Sequence, residues 1–201
     1  KIHTYVVEAT RTARRYLSVA GLKGNIQELD FHELNEHTKP EEVERLLPLF
    51  DNGNDVGLIT EAGLPAVADP GSQLVKLCHR HNIEVVPCSG PSSLMLALMG
   101  SGLNGQSFAF LGYIPAKTDE RRQALKSIEK HSASAHQTKI MIETQYRNDS
   151  LFADILNVCQ GSTELCVAAD ITMPDAYIMT KTVAEWKRYV AGKESIIGKR
   201  P

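Results

Sequence analysis

The chain has no long hydrophobic run. Its longest uninterrupted apolar stretch, Leu94–Met99, falls far short of the ~20 residues that cross a bilayer. No charged-then-apolar leader opens it, so neither a membrane protein nor a secreted one is expected. Charge of one sign is not in excess either: 22 Lys and Arg against 24 Asp and Glu leave a formal charge of -2 over 201 residues, and no global positive field marks a nucleic-acid binder. Cysteine is sparse. Cys78, Cys88, Cys159 and Cys166 lie scattered among apolar residues, without the spacing of a zinc site or the density of a disulfide scaffold, and are expected to be buried free thiols in a reducing cytoplasm. His79 and His81 point to different sides of a helix and make a poor metal pair, so no metal is expected. Repeats and low-complexity tracts are absent.

What is present is a β-branched and helical alternation typical of an α/β protein. Strands are expected at Ile2–Val7, Glu28–Leu34, Asp55–Thr60 and Ile83–Pro87. Helices are expected at Thr10–Val19, after Pro40 with a bend or end at Pro48, and through Leu74–Cys78, with a further apolar one at Leu94–Met99. Strand, loop and helix thus follow one another twice in the middle of the chain, which favours a parallel sheet with ligand-binding loops at its carboxyl edge. After Gly105 the pattern continues with strands at Phe108–Ile114, Lys139–Ile142, Glu164–Ile171 and Tyr177–Lys181. Between and after them lie helices at Asp119–Glu129, Leu151–Val158 and Ala184–Val190, the last around Trp186. The composition shift near Gly112–Lys117 divides the chain into an α/β domain over 1–112 and a second over 113–201.

Neither Gly-x-x-x-x-Gly-Lys-Ser/Thr nor Gly-x-Gly-x-x-Gly occurs, which lowers the case for nucleoside triphosphates and dinucleotides. The glycine- and proline-rich loops instead offer small residues and exposed backbone donors, suited to a planar ligand held by main-chain hydrogen bonds. Three of them in order, Glu61-Ala-Gly-Leu-Pro-Ala-Val-Ala-Asp-Pro-Gly71, Val86-Pro-Cys-Ser-Gly-Pro-Ser-Ser93 and Gly112-Tyr-Ile-Pro-Ala-Lys117, closely resemble the ribosomal RNA small-subunit methyltransferase I branch of the tetrapyrrole methylase superfamily. Glu8-Ala9-Thr10-Arg11 is similar to that branch's Glu-Asp-Thr-Arg, and Glu143-Thr-Gln-Tyr-Arg147 to its Glu-Ser-x-x-Arg.

This resemblance implies two α/β domains of the tetrapyrrole methylase type, with a parallel sheet in the first and a mixed sheet in the second. The first would lack its opening strand and the second its last. It also implies an S-adenosylmethionine site in the cleft between the domains, a homodimer, and methyl transfer to a ribose 2′-hydroxyl of small-subunit ribosomal RNA. By motif position Gly63, Leu64, Pro65, Val67, Ser92 and Ser93 would line the cofactor, with Thr144, Ala168 and Ala169 facing its adenosine.

An in-line displacement at a sulfonium needs positioning and exclusion of water rather than a metal or triad. The proton of the poorly acidic ribose hydroxyl must still go somewhere, and Glu8 and Lys117 are the titratable candidates. Glu61 and Asp69 are expected to cap helical turns and brace their loop. Arg11, Arg14 and Arg15 recur at i, i+3 and i+4, and Lys117, Arg121, Arg122 and Lys126 form a second basic stretch. Bordering one cleft, they would track a phosphate backbone despite the acidic total.

Ala9 stands where the branch has Asp, Leu64 where it has Thr, and Ala169-Asp170-Ile171 where it has Arg-Glu-Leu. These departures keep two alternatives in play. One is a methyltransferase acting on a tetrapyrrole or other small molecule, the other a non-catalytic binding module of the same fold.

Overall fold

The computed structural model describes residues 2–193, 195 and 197–201. The chain divides into two compact units, Lys1–Ser92 and Ser93–Pro201.

In the first unit, β1 (Thr4–Val7) lies between β2 (Asp30–Glu33) and β3 (Val56–Ile59), and both pairings are parallel. Tyr5, Val6 and Val7 are all buried, as a central strand covered on both faces requires. Successive side chains leave a strand on opposite faces. Val6 therefore packs with Leu34, Val43, Leu46, Leu74 and Leu77, on the side of α2 (Pro40–Glu44) and α3 (Ser72–Arg80). Tyr5 and Val7 pack with Ala13, Leu17 and Leu29 on the side of α1 (Thr10–Leu17). Gly57 sits directly across from Tyr5, and a Cβ there would come within 2.7 Å of the ring. Beyond α2 the chain ends its helix before Pro48 and continues as a 3-10 segment over Leu47–Gly53, in keeping with the expected bend.

The strand expected over Ile83–Pro87 does not form. Ile83 and Val85 pack against the Val6 core, but the segment makes no ladder hydrogen bonds among the described residues. The apolar alternation is satisfied by one-sided packing, and Pro87 has no N–H to donate.

The second unit opens with α4 (Ser93–Ser101). It continues through β4 (Phe108–Phe110), α5 (Thr118–Ala135), β5 (Thr138–Ile140), α6 (Asn148–Val158), β6 (Glu164–Ala169), β7 (Tyr177–Thr182) and α7 (Val183–Val190). The β4–β5 pair is parallel and the β6–β7 pair antiparallel. Both pairings of the expected mixed sheet are present, as two separate two-stranded sheets among the described residues. The boundary expected at 112/113 falls inside this unit, because α4 joins it. The Thr180 hydroxyl donates to Ser101 O at 2.7 Å, and Gly100 faces Ile178 so closely that a Cβ would sit 3.0 Å from it. The core centres on Trp186, fully buried, with its indole N–H on Leu165 O at 2.8 Å and edge contacts to Phe152 and Tyr189. No helix of the described residues is long and apolar enough to cross a membrane.

Candidate functional site

The carboxyl ends of β1 and β3 lie side by side in the first unit, and each continues into a loop. Glu8 follows β1 and donates its N–H to Ile59 O, while its Oε2 accepts the N–H of Glu61, just past β3, at 3.1 Å. Sheet order β2-β1-β3 makes this the point where the chain turns to opposite sides of the sheet, the place where open α/β folds bind ligands.

The loop after β3 is tightly wound. Gly63, Ala66, Ala68 and Gly71 all have positive φ, between 62° and 130°. Left-handed alanines carry a steric cost, here held in place by Ala66 N–H on Pro70 O and Val67 N–H on Leu64 O. Gly71 is buried, and a Cβ there would meet Leu58 at 2.9 Å. It also takes the N-cap position of α3 with no side-chain cap, so the capping role expected for Asp69 is not the one it plays. Burial pushes the Asp69 carboxyl above its ordinary pKa, and the nearby charge of Glu8 pushes it further.

Together these elements wall a concavity of about 730 Å³, a volume in the range of small-molecule sites. Glu8, Thr60, Glu61, Gly63 and Pro65 come from the strand ends and the wound loop, and Pro91 from the following loop. The other wall is one stripe of α1 and its continuation, Thr12, Arg15, Tyr16 and Val19. Of that stripe the sequence reading has only Arg15, although the i, i+3, i+4, i+7 spacing with exposed Tyr16 and Val19 is a legible signal. Helix α1 starts at Ala9, which has no oxygen to cap it. Glu33, on β2, substitutes by accepting the Thr10 N–H at 3.0 Å. The backbone and then the hydroxyl of Thr10 hold its carboxyl below the usual range.

Of the residues expected at the cofactor, Gly63 and Pro65 are on the wall, and so is Glu8, the expected proton acceptor. Leu64 turns to the next loop, so that a Cβ on Gly90 would meet it at 3.1 Å. Val67 is exposed, Ser92 is half-buried, and Ser93 is an exposed residue at the start of α4. In the second unit Thr144 is exposed, Ala168 is half-buried in β6, and the Ala169 methyl is buried. Lys117, at the start of α5, is solvated and 3.2 Å from Glu120.

Three expectations are corrected by the contacts of the side chains. Arg14 is not an open cation: it lies over the Phe31 ring and donates to Gln27 Oε1 at 2.8 Å. Arg121 is buried, with Nε and Nη2 on Asp154 Oδ2 and Nη1 on Ala116 O. Cys88 is exposed and Cys159 and Cys166 are half-buried, which leaves Cys78 as the buried thiol. Arg11 and Arg15 are exposed, and the Arg122 side chain is 47% exposed. The Glu143/Arg147 motif is an internal ion pair at the start of α6. Glu143 Oε1 accepts from Thr144 N and Arg147 Nε, and its buried Oε2 has no partner among the described residues.

Residues 5–187 match the family of tetrapyrrole (corrin/porphyrin) methylases. The chain belongs to the tetrapyrrole methylase family. Among its relatives, ribosomal RNA small subunit methyltransferase I of Vibrio cholerae is 32% identical over 158 residues, covering 79% of this chain and 54% of that protein. The protein of the same name from Escherichia coli O157:H7 is 33% identical over 162 residues, covering 81% and 55%. The chain spans about half the length of these relatives. The crystal structure of the methyltransferase CobJ superposes with a TM-score of 0.56 at 14% identity, covering 92% of this chain and 88% of that one. That likeness bears on the fold alone, the α/β fold of the family. The sequence likeness lies with the small-subunit ribosomal RNA methyltransferase I branch.

Proposed function

We propose that the protein is an S-adenosylmethionine-dependent methyltransferase that methylates a ribose 2′-hydroxyl of small-subunit ribosomal RNA. The observation that carries this reading is the concavity at the carboxyl ends of β1 and β3. Its volume suits a nucleoside-sized ligand, its walls are mostly apolar, and its charged rim brings two carboxylates, Glu8 and Glu61, against one guanidinium, Arg15. That charge balance favours a cationic ligand. Gly63 has open space where a Cβ would project, so a ligand can approach its backbone. The residues present therefore fit the cofactor, with Glu8, Gly63 and Pro65 as the holding wall.

S-adenosylmethionine, when bound, supplies a methyl group already activated by its sulfonium. The chain's task is then to orient the hydroxyl, exclude water and accept a proton. Glu8 and Lys117 are the acceptors we nominate. Glu8 is the stronger choice, because it lines the concavity, whereas Lys117 is solvated and paired with Glu120. Arg11, Arg15 and Arg122 are assigned to RNA phosphates, with Leu64, Val67 and Ser92 completing the cofactor surroundings within the first unit. A cytoplasmic homodimer belongs to the same reading. The names of the relatives support the RNA substrate over a small molecule.

Calorimetric titration with S-adenosylmethionine tests the carrying observation. One cofactor is expected per chain, with binding lost on substitution of Ala62, which lines the concavity beside Gly63: the indole of Ala62→Trp would fill it while the circular dichroism spectrum is unchanged. Binding that is absent in the wild type, or untouched by that substitution, overturns the assignment.

A further inference from the structure

Helix α6 is apolar around one acidic residue. Asp154 lies among Leu151, Ile155 and Leu156, its side chain only 5% exposed, and two consecutive arginines of α5 share its carboxylate. Arg121 takes Oδ2 through Nε at 2.7 Å and Nη2 at 2.5 Å, and its Nη1 reaches Ala116 O, one residue before Lys117. Arg122 takes Oδ1 through Nε at 2.7 Å. Burial alone would raise the Asp154 pKa, but the hydrogen bonds and charges of Arg122 and Arg121 outweigh it and hold the carboxyl below the usual range.

The charge count of this triad decides what Arg122 is for. Arg121 is as buried as Asp154 and neutralises it, so the inner pair is already complete. A second guanidinium beside the first adds like-charge repulsion, and a half-exposed ion pair returns little stability. Arg122 is therefore a surplus cation whose Nε is fixed from behind. Asp154 is the sole partner its guanidinium has among the described residues. A guanidinium held by one edge presents the other in a fixed plane, the arrangement that matches two phosphate oxygens. Exposed Lys126 lies on the same helix, and exposed Lys117 stands just before its first turn.

We infer that Asp154 is a positioning residue for RNA. Its buried carboxylate, itself locked by Arg121, holds the Arg122 guanidinium edge-out as a preset fork for a backbone phosphate. This rests on the RNA reading above and assigns that surface a device for phosphate recognition.

The test is equilibrium binding of the protein to transcribed small-subunit ribosomal RNA at several salt concentrations. Arg122→Lys keeps the charge and cannot keep the fork, and it leaves the buried pair alone. It should weaken binding about tenfold, as loss of a charge-assisted hydrogen bond does, with the salt slope unchanged, whereas Arg122→Gln should lower the slope by about 1. Asp154→Asn removes a negative charge, so simple Coulomb attraction predicts tighter binding; the preset fork predicts weaker binding, with no further loss in the Arg122→Lys background. Wild-type affinity in Arg122→Lys overturns the inference even if Asp154→Asn does not fold. So do losses that multiply in the double variant, which mark a purely structural aspartate. A wild-type protein that does not bind the RNA overturns the function itself, before any variant is compared.

Discussion

Asp69 shows how a single carboxyl records the making of the candidate site. Its pKa is raised by burial and by the charge of Glu8, so the folded chain holds that proton more tightly than the unfolded chain does. The stability tied to the proton is fully present below the unfolded value and is lost as pH rises through the folded one. Asp69→Asn should accordingly raise the melting temperature at pH 7, and the gain should vanish near pH 3, about a unit below the unfolded value. Thermal melts of both proteins across that range check it; a gain that persists at low pH would mean the carboxylate is not what the site pays to bury. Single residues were also where sequence reading reached and where it stopped. Glu8, Gly63 and Pro65 are legible because motif and position coincide. The commitments of Arg14 to Phe31 and Gln27, and of Arg121 to Asp154, are not, because each partner is distant in sequence and a basic residue reads the same whether it faces water or a carboxylate. Asp154 did leave a trace, as a lone charge inside the apolar run Leu151–Leu156.

At the scale of elements, the alternation of strands and helices is legible almost throughout because each one-sided apolar pattern has a core to meet. The segment after α3 is the exception. Its apolar residues do pack, but pattern alone does not reveal whether a strand has a neighbour to pair with. Helix α7 shows the opposite case. The Thr182-x-x-Glu185 box marks its start: Glu185 N–H donates to Thr182 Oγ1 at 3.2 Å, and Thr182 N–H returns to Glu185 Oε2 at 2.9 Å. The backbone and then the hydroxyl of Thr182 hold the Glu185 carboxyl below its ordinary range. Thr182→Ala should cost about 1 kcal/mol. Trp186→Ala, which empties the centre of the second core and orphans Leu165 O, should cost roughly 3–5 kcal/mol. Urea denaturation followed in the second unit resolves the two; equal midpoints would contradict the place of Trp186 at the centre of that core.

For the whole chain, a formal charge of -2 says little about RNA, since recognition depends on where the cations are held. Folding removes Arg14 and Arg121 from the exposed set and leaves Arg11, Arg15 and Arg122 in it. The division into two units lies at Ser92/Ser93 rather than at 112/113. Composition does not locate it because α4 is joined to β7 by contacts far apart in the chain. Family membership and fold follow from the match over residues 5–187 and the likeness to CobJ, while the reaction remains the claim to be measured.

The most direct test is transfer of a labelled methyl group. Incubated with methyl-labelled S-adenosylmethionine and small-subunit ribosomal RNA, the protein should place the label on a ribose 2′-oxygen, with the signal sharply reduced by charge reversal at Arg15 and Arg122. Label that appears only on a small metabolite, or on nothing while the cofactor binds, would contradict the account.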